Sequence, residues 1–183
     1  MALHHEDDAM LELLNITAFG ALHTIIALIG VIAGFVALIV HRQIRLDSLP
    51  GRVFFWFTVG AAVTGLFIFR RGGFGVPHVL SLLTLAVLAL AWFADRRQGF
   101  GRLSGYVAVL FNLTALFFHF IPAFVETLTR VPLGAPYATG PEDPRLFGPI
   151  GTAFVAYLIA AAWQLLRARV ASRRAPTPGA GLA

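Results

Sequence analysis

An all-α fold, a polytopic transmembrane bundle of about five helices, is predicted by three observations. The chain is 58% hydrophobic and only 13% charged, where a soluble domain carries about 45–50% apolar and about 25% charged residues. The apolar residues fall into long runs without a central charge, and a spanning helix needs about 20 of them. The arginines gather in the short segments between those runs. Strand-period alternation is absent, and helices satisfy their own backbone polar groups in lipid.

The spans read as about Ala18 to Val40, Val53 to Phe69, Val76 to Ala94, Ser104 to Val125 and Gly148 to Leu166. The second is short and tightly bounded by Arg52 and Arg70; its four longer neighbours make the membrane reading the natural one. Residues 1–17 form an outer N-terminal segment, 18–167 the helical bundle and 168–183 a disordered cytoplasmic tail rich in Pro and Gly. The acidic start, Glu6-Asp7-Asp8, lacks the basic region of a signal peptide, so the first span is expected to be retained.

Arginine asymmetry orients the bundle. With the N-terminus outside, the cytoplasmic segments hold Arg42, Arg45, Arg52, Arg96, Arg97, Arg102, Arg167, Arg169, Arg173 and Arg174; the outer loops hold Arg70, Arg71, Arg130 and Arg145. Trp56, Trp92 and Trp163 fall near the cytoplasmic ends, as an aromatic belt would. The same pattern accounts for the high pI without nucleic acid. The lipid bilayer is the partner the composition implies, and other membrane subunits are compatible with it. There are no cysteines, which removes disulfide and thiolate chemistry.

In span one, His23, Ala27, Gly30, Gly34, Ala37 and His41 follow steps of three and four and so share a face. Gly30 and Gly34 make a GxxxG pattern, which lets helix backbones approach in lipid. Gly60, Ala61, Thr64 and Gly65 in span two form a plausible mating surface. Asn112, Thr114 and Gln164 read as polar groups that bond across helices. The segment from Thr129 to Phe147, rich in Pro and Gly, reads as an ordered outer loop or a plain connector.

Intramembrane histidine is costly and tends to mark function. At 1.5 Å per residue, His23, His78 and His119 stand about 26, 24 and 22 Å above the cytoplasmic ends of their spans. The three imidazoles are therefore expected at one level near the outer leaflet. Asn112, His119 and Glu126, spaced by seven, share a face, so Glu126 would orient His119 from above, and Pro122 would bend the helix there. Three imidazoles with an open position suit zinc or copper. Two axial imidazoles, with Arg70 and Arg71 as cofactor-binding groups near the propionates, suit haem b. The alternatives are a metal-free structural or accessory subunit, whose histidines only pack, and a small transporter. With Met1 removed, Ala2-Leu3-His4 would also chelate Cu(II) or Ni(II). No HExxH, GxSxG or phosphate-binding glycine loop is present, so no catalytic residue is assigned.

The pieces Leu22-His23, Pro50-Gly51-Arg52, Thr64-Gly65-Leu66, Pro77-His78, His119-Phe120-Ile121-Pro122 and Glu126 through Pro132 resemble an uncharacterised bacterial family described only as predicted multi-pass membrane proteins. The resemblance implies a bundle in the bacterial inner membrane, and no established activity.

Overall fold

A computed structural model describes residues 17–69 and 72–174, the last five through their backbone alone. The described residues form five α-helices and no strand: α1 (Ala18–His41), α2 (Leu49–Gly65), α3 (Val76–Arg97), α4 (Ser104–Leu128) and α5 (Phe147–Arg174). Short 3-10 turns, Gly101–Leu103 and Pro144–Leu146, lead into α4 and α5. The expected all-α bundle is the fold, although α2, 17 residues long, falls short of the expected fifth span. α1, α3, α4 and α5 are each long and apolar enough to cross a membrane.

Local signals set the helix ends. Thr17 caps α1 by accepting from Gly20 N–H (3.0 Å), and Ser48 caps α2 by accepting from Gly51 N–H (3.2 Å), as N-cap hydroxyls do. The second span therefore starts earlier than its apolar run, at Leu49, with Pro50 in the first turn where its missing N–H costs nothing. It stops at Gly65, four residues before Phe69. Beyond it, Leu66, Phe67 and Ile68 donate to Val63, Thr64 and Gly65 carbonyls, so the apolar run ends in tight turns that still bond their own backbone. α5 runs on to Arg174, into the stretch expected to open the disordered tail. Ala168, Arg169, Ala171, Arg173 and Arg174 are strong helix formers, and cations favour a helix C-terminus. α4 is continuous through Pro122.

Consecutive helices pack side by side, α1 on α2, α2 on α3, α3 on α4 and α4 on α5, with α1 also touching α4. Gly30, Ala33, Gly34 and Ala37 of α1 are buried, and so are Thr58, Ala61, Ala62 and Gly65 of α2. The small-residue face points inward as its spacing implies, while Ile32 stays exposed. A β-carbon on Gly34 would stand 2.9 Å from the Phe54 ring and 3.1 Å from Leu116, so glycine allows three helices to meet there.

At the arginine-rich end, the α1–α2 connection folds back into the bundle. Ile44 and Leu46 are buried, at 2% and 3% exposure. Asp95 at the end of α3 accepts from Leu46 N–H (2.9 Å) and pairs with Arg45 (3.2 Å). Arg96 donates to the Leu46 carbonyl (3.1 Å), and Asn112 Nδ2 donates to the Ile44 carbonyl (3.1 Å). A β-carbon on Gly51 would overlap the Arg45 carbonyl oxygen, which is a close approach that requires glycine. At the other end, the segment between α4 and α5 is ordered. Ala138, fully buried, donates to the Leu128 carbonyl (2.9 Å). Asp143 binds the Arg145 guanidinium and the Thr139 N–H and hydroxyl. Those bonds, Arg145 first, hold its carboxyl well below the usual carboxylate range.

Gly34→Leu should lower thermal stability in detergent by about 1–3 kcal/mol, the usual cost of overpacking a filled site. Ile32→Leu, on the exposed side of the same helix, should leave the melting point within error. Equal melting points for the two variants would contradict the packing described for α1.

Candidate functional site

Two threonines of α2, Thr64 and Thr58, meet the imidazoles of His23 and His119. Thr64 Oγ1 donates to the Gly60 carbonyl (2.8 Å), with the Ala61 carbonyl close behind (3.1 Å). Its single proton is thereby used, so at the 2.9 Å contact with His23 Nδ1 the hydroxyl accepts and the imidazole donates. The neutral His23 ring then carries its proton on Nδ1 and its lone pair on Nε2. Two turns deeper, Thr58 Oγ1 hydrogen-bonds His119 Nε2 (3.1 Å). Thr58 is fully buried, and the edge of the Phe54 ring lies near the same imidazole, centroids 6.5 Å apart.

His78 is engaged differently. Its Nδ1 accepts from Gly75 N–H (3.1 Å), so it caps its own helix. Its ring lies between Phe69 and Phe74, with centroids 4.6 and 5.1 Å away. Because Nδ1 spends its lone pair on Gly75, the proton of the neutral ring sits on Nε2. That nitrogen is buried without a hydrogen-bond partner among the described residues. A ring in this state offers no lone pair to a metal.

The expected convergence of His23, His78 and His119 does not occur among the described residues, where no three His, Asp or Glu side chains gather closely enough to share an ion. His23 and His119 lie within electrostatic reach of each other, and Glu126 within reach of His23. They are nonetheless anchored six residues apart on α2, about 9 Å of helix rise. The equal-height arithmetic fails for a structural reason. It starts α1 and α4 from a common floor, yet Asn112, eight residues into α4, bonds Ile44 just past the end of α1. α4 thus begins about 12 Å below that point, and His119 sits correspondingly lower.

Arg70, Arg71, His4 and His5 lie outside the described residues. The α1–α2 seam beside the two remaining histidines is closed. A β-carbon on Gly30 would already stand 3.3 Å from Thr58 Oγ1, so the two helices are in close contact at that level. The polar glue read from the sequence is in place at two of three positions. Asn112 donates to the Ile44 and Ala108 carbonyls, and Thr114 reaches Tyr157 of α5 (2.9 Å). Gln164 is buried with Oε1 unpartnered among the described residues. Sequence reading missed Asp95, which stands at the end of an apolar run beside two arginines and looks there like an interfacial charge. Thr58 also gave no signal, since an isolated threonine in a helix most often bonds its own preceding turn.

No family model, curated protein or solved structure matches the chain, so its chemistry is read from its own residues.

Thr58→Val and Thr64→Val should each lower thermal stability by about 0.6–2 kcal/mol, the range for inter-helix hydrogen bonds in lipid. Thr58→Ser, which keeps the hydroxyl, should restore most of the loss. A valine variant as stable as the parent would mean that the Thr58–His119 contact holds nothing together.

Proposed function

We propose that the chain is a structural or accessory subunit of a bacterial plasma membrane, with its N-terminus outside and its C-terminus in the cytoplasm, and that its intramembrane histidines tie helices together. The observation that carries this reading is the separate engagement of the three imidazoles: His23 on Thr64, His119 on Thr58 and His78 on Gly75. Histidines assembled around one ion would instead aim their lone pairs at a common point. The orientation rests on the ten-to-four arginine asymmetry. Two cation–π contacts at the arginine-rich end, Arg97 on Trp92 (5.7 Å) and Arg167 on Trp163 (4.8 Å), support an interfacial layer there. The long α5, packed chiefly along α4, leaves most of its apolar surface to lipid or to other membrane subunits.

A second reading has one specific support. His23 donates through Nδ1 and keeps its lone pair on Nε2, the state in which metal-ligating histidines are usually held. With His119 nearby and Glu126 within electrostatic reach, zinc or copper is the cation class these donors suit. His78 takes no part in that version. The shortage of intramembrane carboxylates disfavours a transporter.

Two measurements test these readings. A reporter fused after Ala183 should be active in the cytoplasm; activity only outside would reverse the orientation. Protein purified in detergent should carry less than one transition metal per chain and no haem absorption, and His23→Gln should lower stability without changing metal content. One zinc or copper per chain, lost in both His23→Ala and His119→Ala but kept in His78→Ala, would overturn the accessory reading in favour of the two-histidine metal site.

A further inference from the structure

The seam between the start of α4 and the end of α5 is not filled by side chains. A groove of about 440 Å³ opens there between Tyr106, Val107 and Leu110 on one side and Leu165, Leu166 and Arg169 on the other. Its walls are apolar apart from the Tyr106 and Arg169 termini, and Leu103 and Leu166 at its edge are largely exposed.

Depth identifies what such a groove holds. Trp163 and Arg167 stack on each other just before Arg169, and Trp92 and Arg97 do the same at the matching end of α3. Tryptophan and arginine paired in this way mark the level where the hydrocarbon meets the headgroups. Arg169 lies about 3 Å further along the helix than Arg167, at headgroup depth. Val107, Leu110 and Leu165 lie on the hydrocarbon side of it. The groove is therefore apolar along its length and cationic at its mouth. Among the described residues the surrounding end is strongly basic: Arg42, Arg45, Arg52, Arg96, Arg97, Arg102, Arg167 and Arg169 stand against Asp47 and Asp95, and Asp95 is committed to Arg45 and Leu46.

We propose that this groove is a binding site for one anionic phospholipid, with an acyl chain along the α4–α5 seam and the phosphate at Arg169. The acyl chain fills apolar space that water would occupy at a cost. The phosphate gains the guanidinium fork that suits planar contact with phosphate oxygens. A zwitterionic lipid offers the same chain but adds a cation at the headgroup that the basic surroundings repel. A free phosphate offers the charge without the chain. The site is independent of the histidines and of which leaflet the basic end occupies.

The full chain, delipidated in detergent and titrated with phosphatidylglycerol or phosphatidylcholine, tests this by native mass spectrometry and thermal melting. One phosphatidylglycerol should be retained in preference to phosphatidylcholine and should raise the melting point, and soluble glycerol phosphate should do neither. Arg169→Gln should weaken phosphatidylglycerol binding about five-fold, the equivalent of about 1 kcal/mol for one basic residue near an anionic surface, and leave phosphatidylcholine binding unchanged. Val107→Trp, which fills the groove, should weaken both lipids while Arg169 remains. Equal retention of the two lipids by the parent, or full phosphatidylglycerol affinity in Arg169→Gln with an unchanged melting point of the lipid-free protein, would overturn the site. Binding of glycerol phosphate alone would overturn it as well, by replacing the lipid with a free anion.

Discussion

The structure depends on the satisfaction of a non-helical backbone segment at the edge of the hydrocarbon layer. Residues 42–48 leave α1, turn inward and bring Ile44 and Leu46 into the core. Lipid offers no hydrogen bonds to such a segment, so protein groups must provide them. Asp95 takes the Leu46 N–H, Arg96 reaches the Leu46 carbonyl, and Asn112 reaches the Ile44 carbonyl. Asp95 and Arg96 come from the last turn of α3 and Asn112 from α4, so one seven-residue connection fixes the depth of four helices. Asp95 is nearly buried, with a side-chain exposure of 4%. Arg45 is only partly covered, at 33% side-chain exposure, so removing it would leave Asp95 buried beside the Leu46 N–H.

That clamp sets the registers on which everything above it relies. With the connection held, α1 and α2 run antiparallel in close contact, and Gly30 faces Thr58 while His23 faces Thr64. Backbone proximity through glycine is what lipid-embedded helices use in place of a hydrophobic driving force. The hydroxyl–imidazole bonds then act as register marks, since a slip of one residue would leave half-buried imidazoles without partners. α4 enters the same seam lower down, with Leu116 against Gly34 and His119 against Thr58. His23 and His119 are each engaged by a hydroxyl of α2.

The two ends of the bundle are built differently. The arginine-rich end is tied by charged and amide groups and leaves an unfilled apolar groove between α4 and α5. The opposite end is closed by an ordered loop, in which Asp143 and Arg145 hold the turn before α5 and the Arg145 guanidinium covers Tyr137 (5.8 Å). α5 belongs to both ends yet contacts mainly α4, with Thr114–Tyr157 and the Phe117–Tyr157 rings as its main fixings. It is the helix with the most surface left for lipid or another subunit.

Composition and run length alone determined that this chain is a helical membrane bundle, because a bilayer of fixed thickness admits few solutions for long uncharged apolar segments. Residue spacing determined which face of α1 turns inward, because Gly30, Gly34 and Ala37 recur at helical steps. It also identified Asn112 and Thr114 as cross-helix glue. Only the tertiary structure decided the relative depth of the helices. Counting from helix ends assumes a common floor, and the inward fold of residues 42–48 removes it. The relative depths then place His119 below His23, and the N-terminal cap of α3 takes up His78. The roles of Asp95 and Thr58 belong to the same category: each is one polar residue near an apolar run, and its importance comes from a backbone or an imidazole brought to it from elsewhere in the chain.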